Sequence, residues 1–207
     1  MWVGNNRGTK FSLKNSYQKH YWDFSFDHFV DYDQPILINS VLQETKTEKL
    51  IYIGHSQGST QFLVSTGIHK DLRDKIVCFI GMGTVISLEG VDSHQVLKYL
   101  DKFKGVEFLK LLGFKTVLSL PNYITKPVGV LIYNTKFYFS LFFGIVNILC
   151  GTPNKNKIDL ERLGVIISHE PGGASIHNVL QWIQFYRSGK MKRFDHGKKK
   201  NKEMYGI

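Results

Sequence analysis

The chain has 207 residues, is 43% hydrophobic and 14% aromatic, and carries 27 Lys/Arg against 17 Asp/Glu, a net charge of +10. This length allows one sizeable domain or one and a half, and the apolar content excludes a disordered protein. Two cysteines, Cys78 and Cys150, exclude a disulfide framework, and the basic excess comes with no zinc-finger spacing and no nucleic-acid module.

The chain opens on Trp2-Val3-Gly4-Asn5-Asn6-Arg7-Gly8, which reads as the end of a strand running into a turn. Met1–Asn5 shows neither the basic nor the apolar region of a secretory signal. Residues 9–21 are polar and aromatic and read as a loop. From Phe24 to Thr45 the spacing of Phe26, Phe29, Val30, Ile36, Leu37 and Val41 predicts a helix, with Pro35 as a kink or restart. A strand follows at about Lys49–Gly54, then a helix to about His69, then a strand at Ile76–Ile80. This alternation predicts a parallel α/β sheet.

The character changes near Ser87. Residues 1–86 hold nine Lys/Arg and eight Asp/Glu, net +1; the remaining eighteen and nine give residues 87–207 a net of +9. Residues 91–112 place Val96, Tyr99 or Leu100, Phe103, Val106 and Leu109 at helical spacing, with Gly105 as a weak point. Residues 137–150 form an almost uncharged run, too short for a membrane span, which takes about 20 residues. It reads as a core helix or, alternatively, a lipid-facing flap. Residues 175–187 repeat the amphipathic pattern, and Gly189 is placed as a stop. The run Lys198-Lys199-Lys200-Asn201-Lys202 reads as a solvated tail. The predicted division is a core at 1–86, a helical region at 87–200 and a basic tail at 201–207.

Chemistry concentrates at the first strand–helix junction. Leu50-Ile51-Tyr52-Ile53 runs into Gly54-His55-Ser56-Gln57-Gly58 and then into a helix-compatible stretch. The pattern Gly-x-Ser-x-Gly between a strand and a helix is a nucleophile elbow. It needs Ser56 in a strained turn, with Gly54 and Gly58 bare where side chains would collide. The Gln57 N–H, opening the helix, is then placed to bind an oxyanion. The alternative is a strand–turn–helix with an incidental serine. No His/Cys/Asp/Glu cluster has metal-ligand spacing, and no phosphate loop occurs, so neither metal nor cofactor is expected.

Five ordered motifs, covering almost the whole chain, resemble the acid lipase family of gastric and lysosomal lipases. Residues 2–8 resemble its WLGNSRG segment. Trp22-Asp23-Phe24-Ser25-Phe26-Asp27, with Tyr32-Asp33-Gln34-Pro35, resembles WxFSFDE…YDLP. Residues 54–58 are similar to its elbow, residues 168–175 resemble SHNPAGTS, and Phe194-Asp195-His196-Gly197 resembles Tyr-Asp-(Trp/Tyr)-Gly. The resemblance implies a partial α/β-hydrolase core with a mostly helical cap. It also implies serine ester hydrolysis of neutral lipid, acylglycerol or steryl ester, at a lipid–water interface, in a lysosomal or secreted setting.

In that family the oxyanion loop precedes the Trp-x-Gly-Asn strand, and the catalytic acid and histidine follow the Tyr-Asp-(Trp/Tyr)-Gly segment. The expectation is therefore a central portion that has Ser56 and Gln57 and lacks the triad partners. The alternative function is a remnant that only binds lipid. Internal pairs in the required order Ser, acid, His are Asp92 with His94, Asp159 with His169, and Asp195 with His196. Adjacent or near-adjacent acid and base cannot easily share one hydrogen-bond line to a distant serine, which disfavours the first and last. His55 is expected to point away from the elbow.

Overall fold

The computed structural model describes residues 1–15, 17–89, 102, 104–119, 123, 126, 127, 130, 160–169 and 172–206. Its elements in chain order begin with a 3-10 turn at Lys10–Asn15, α1 at Phe26–His28, a π turn at Phe29–Asp33 and α2 at Gln34–Thr45. Next come β1 at Leu50–His55, α3 at Gln57–Ile68, α4 at Lys70–Arg73 and β2 at Ile76–Met82. Then follow α5 at Gly105–Leu111, β3 at Thr116–Ser119, α6 at Leu160–His169, β4 at Gly172–Ser175, α7 at Ile176–Ser188 and α8 at Lys198–Tyr205. Two compact units result: Met1–Glu89 together with His177–Ile207, and Gly90–Ile176. The chain from His177 onward, assigned by sequence to a cap and a tail, returns to the first unit. The expected solvated run at 198–202 is the start of α8.

In the first unit β1 and β2 are parallel, as the strand–helix rhythm predicts, with Tyr52 opposite Phe79 and Gly54 opposite Gly81. Tyr52, Phe62 and Phe79 stack, with ring centroids 4.2 and 4.6 Å apart across Phe62. They pack with Ile38, Leu42, Leu50, Leu72 and Ile76 into the core between this sheet and α2, α3 and α4. On the other face Ile51, Ile53, Ile80 and Met82 are exposed. Among the described residues Trp2 and Val3 join no strand, contrary to the expected strand end, and both are exposed.

The predicted helix over 24–45 forms with an irregularity that changes its face. Gln34 N–H donates to the Phe29 carbonyl five residues back, the bond of a π turn. Pro35, which has no N–H to give, sits just inside the regular helix that follows. One extra residue in a turn rotates everything downstream by about 100°. The buried apolar residues of α2 are accordingly Ile38 and Leu42, each one position beyond the predicted Leu37 and Val41, while Ile36 is exposed. Lys46, at φ 53°, closes α2 in the left-handed region.

The start of this helix is sensitive to protons. Where the resembling motif has Glu, this chain has His28, whose Nδ1 accepts the Ser25 N–H at 3.1 Å while His28 N–H donates back to the Ser25 carbonyl at 3.2 Å. Burial, then the Arg7 guanidinium, lowers the His28 pKa against the opposing pull of Asp27, Asp31 and Asp33. A folded pKa below the unfolded one means stabilisation present above the unfolded value and lost as pH falls through the folded one. Protonation also converts the Nδ1 acceptor to a donor. Relative to His28→Gln, wild-type melting temperature is expected to fall as the pH is lowered from ~6.5 into the acid range. A constant difference across that range would rule this out.

In the second unit Val106 is buried on α5, and β3 pairs antiparallel with β4, Val117 opposite Ala174. The helix expected over 91–112 is seen from Gly105 onward, the predicted weak point, after Lys104 at φ 50°. Val96, Tyr99, Leu100, Phe103, the 137–150 run, Cys150, Asp92, His94 and Asp159 lie outside the described residues. No helix among the described residues is long and apolar enough to cross a membrane.

Candidate functional site

Ser56 stands between the last residue of β1 and the first of α3, at φ 49° and ψ −122°. A non-glycine residue holds this backbone only where its surroundings over-determine it. Three bonds do so. Ser56 N–H donates to the Met82 carbonyl of β2 at 2.8 Å, and the Ser56 carbonyl accepts from Ser59 N–H at 3.0 Å and Thr60 N–H at 3.2 Å. Ser56 is exposed, and its hydroxyl has no hydrogen-bond partner among the described residues. His55 is exposed beside it.

The two elbow glycines are not equivalent. A Cβ on Gly54 would lie 2.8 Å from both Cα and N of Ser59, a backbone collision. A Cβ on Gly58 would meet nothing within 4 Å, so the steric need expected at Gly58 is absent from the structure. Gly54→Ala is expected to destabilise by about 1–3 kcal/mol. Gly58→Ala, within the first turn of α3, should stabilise by up to ~1 kcal/mol. Urea unfolding of both variants checks the contrast; equal effects would refute it.

Gln57 opens α3, and its N–H is one of the amides left without a partner inside a helix. Its side chain is gripped from α7. Gln57 Oε1 accepts from Trp182 Nε1–H at 2.7 Å and from Asn178 Nδ2–H at 3.1 Å. The residue bearing the candidate oxyanion donor is thus fixed by two side chains one helical turn apart. No sequence pattern marks Asn178 or Trp182, which lie more than 120 residues away.

Behind the elbow, α3 is moored by polar side chains. Thr60 Oγ1 donates to the Val85 carbonyl at 2.8 Å and Ser65 Oγ to the Val30 carbonyl at 2.8 Å. Gln61 Nε2 donates to Gln34 Oε1 at 3.0 Å and to Asn6 Oδ1 at 3.1 Å. All three moored residues are buried, so α3 is held by directional bonds as well as by Phe62.

Of the internal triad candidates, His169, Asp195 and His196 fall among the described residues, and each has neighbours of its own. His169 Nδ1 lies 2.8 Å from the Val165 carbonyl and 3.0 Å from Ser168 Oγ, on its own helix. Asp195 accepts from Gly197 N–H and Asn201 Nδ2–H, both at 2.8 Å, and these bonds hold its carboxyl below the usual range. His196 faces the rings of Phe194 and Tyr205. Among the described residues no three His, Cys, Asp or Glu side chains could hold a metal ion.

No family model matches the chain. It is 33% identical over 203 residues to gastric triacylglycerol lipase of Rattus norvegicus, covering 95% of this chain and 50% of the relative. A Crotalus adamanteus protein named as a lysosomal acid lipase/cholesteryl ester hydrolase is 31% identical over 204 residues, 97% of this chain and 50% of its own length. Human lipase member J is 29% identical over 201 residues, 95% and 54%. The sequence resemblance to acid lipases therefore holds along nearly the whole chain, and the chain spans about half the length of the curated relatives it matches.

Proposed function

We propose that the chain carries the nucleophile of a serine ester hydrolase acting on lipid esters. Ser56 Oγ attacks the ester carbonyl, the alcohol leaves, and water cleaves the acyl-enzyme. The Gln57 N–H donates to the oxyanion formed at the carbonyl oxygen. The observation supporting this most directly is the strained, exposed Ser56 between a parallel strand and a helix. The names of the similar proteins support a neutral lipid, acylglycerol or steryl ester, as substrate, with a lysosomal or secreted setting. Residues 90–176 would supply the cap that the resemblance implies.

A second reading, lipid binding without turnover, is favoured by the Ser56 hydroxyl having no histidine partner among the described residues. An elbow without its base retains only binding and oxyanion donors, roughly 10³–10⁴ over water. Turnover of a short-chain nitrophenyl ester at only this residual level would support that second reading. The experiment combines that assay with fluorophosphonate treatment and intact mass. Adduct formation on Ser56 supports the nucleophile; an adduct on another residue only removes it, and no adduct selects lipid binding without turnover. Rapid turnover abolished by Ser56→Ala would mean that the chain contains its own base.

A further inference from the structure

On α5, Val106 is buried, and residues four and seven or eight apart from Lys104 form a separate stripe. That stripe is Phe108, Leu111 and Leu112, and Phe114 extends it beyond the helix end. All four are more than half exposed: 58, 83, 57 and 55%. An apolar run on the outward side of a helix reverses the usual pattern. The lysines around it are Lys102, Lys104, Lys110 and Lys115, all exposed; within residues 104–115 the sequence has one carboxylate, Glu107.

The knuckle at residues 109–114, where α5 ends, is closed by backbone hydrogen bonds. Phe114 N–H donates to the Leu109 carbonyl at 3.1 Å and Gly113 N–H to the Lys110 carbonyl at 3.0 Å, the paired bonds that close a helix through a left-handed residue. Gly113 supplies that residue at φ +85°. These bonds set the backbone that carries Leu112 and Phe114, which lowers the ordering cost at the moment of contact.

We infer that residues 104–115 are a docking surface for an anionic lipid bilayer. The apolar stripe enters the acyl boundary and the flanking lysines meet the acidic headgroups. Both chemistries are needed: an apolar stripe alone would suit another protein surface, and lysines alone would suit any polyanion. Their alternation around one helix end fits a bilayer carrying negative charge, where apolar insertion and basic attraction act together. The inference shares lipid with the proposed function but does not require Ser56, so vesicle binding and Ser56 labelling can fail separately.

The test is co-sedimentation of the 207-residue chain with phosphatidylcholine vesicles and with equimolar phosphatidylcholine–phosphatidylserine vesicles. Wild type should favour the anionic vesicles, and Phe108→Ser/Leu111→Ser should lower partitioning by about tenfold or more. Lys110→Glu should reduce the anionic preference several-fold, as added salt should. Ile51→Ser, which removes an equally exposed apolar residue from the β1 face, should leave binding unchanged. Absence of vesicle binding, equal binding to both vesicles, or an equal loss with Ile51→Ser would each overturn the inference. Sedimentation velocity supplies a further arm: a dimer broken by Phe108→Ser/Leu111→Ser would assign the knuckle to a second copy of the chain instead. The substituted side chains are exposed, and a wild-type melting curve verifies each variant.

Discussion

Ser56→Ala is expected to abolish fluorophosphonate labelling and to lower ester hydrolysis, in a protein holding this elbow with its base and acid, by a factor on the order of 10⁴ to 10⁶. The backbone at φ 49° and ψ −122° lifts one hydroxyl clear of the sheet, and alanine leaves nothing to form the acyl bond. Stability should change little, because the bonds that hold the turn come from the Ser56 N–H and carbonyl, which alanine keeps. An unchanged melt with lost labelling separates chemistry from folding. Labelling that survives in the alanine variant would remove Ser56 from the reaction. Trp182→Phe provides a graded companion: it frees one of the two grips on Gln57 and should slow labelling while Ser56 remains modifiable.

The largest stability effect is expected at Asp27. This buried carboxylate accepts from Gln181 Nε2–H at 2.8 Å, Phe194 N–H at 2.8 Å and Tyr205 O–H at 3.3 Å, with Arg193 Nη1 3.8 Å away. Burial first, then the Asp27 charge, pushes the Tyr205 phenol up to about 12, so Tyr205 remains a donor at any ordinary pH. Asp27→Ala strips the acceptor from three donors and leaves Phe194 N–H buried without one. Breaking such a charged cluster from one side costs on the order of 3–5 kcal/mol. Asp31→Ala removes the partly exposed Arg193–Asp31 pair and a 3.9 Å approach to His69 Nε2, and should cost about 1 kcal/mol or less. Urea unfolding of the two variants gives the comparison. If Asp27→Ala unfolded within 1 kcal/mol of wild type, Asp27 could not be what holds residues 177–206 in place.

The elbow was legible in the sequence because strand, turn and helix signals are local and agree. β1, α3 and β2 lie close to where alternation places them. The helix over 26–45 was legible as an element but not in its facing, since hydrophobic spacing assumes regular turns and one π turn displaces Leu37 and Val41 in favour of Ile38 and Leu42. The return of residues 177–206 was not legible. Its contacts run between Asp27 and Phe194, and between Gln57 and Trp182, and no local pattern encodes a partner at such a distance. Lys198–Lys200 looked like a tail because charge runs are solvated; they are, and they are also the first turn of a helix ending at Tyr205. Gly58 was over-read, because a sequence pattern records that a glycine is present and not which atoms surround it.

The split of the first unit into Met1–Glu89 and His177–Ile207 sets a timetable for biosynthesis. Ribosomes emit the N-terminal segment first, and its elbow helix leaves the tunnel with Gln57 ungripped and the Asp27 carboxylate unanswered. The next 87 residues, Gly90–Ile176, follow before the closing strap arrives. At about 5–20 residues per second, that interval lasts several seconds, a long exposure for Phe26, whose ring packs against Trp182 and Phe185 of the strap. The inserted unit can gather its own contacts in that window, and the first cannot finish until Tyr205 has emerged. Nascent chains stalled before His177 should accordingly bind holdase chaperones through residues 1–89, and release should coincide with the appearance of the strap.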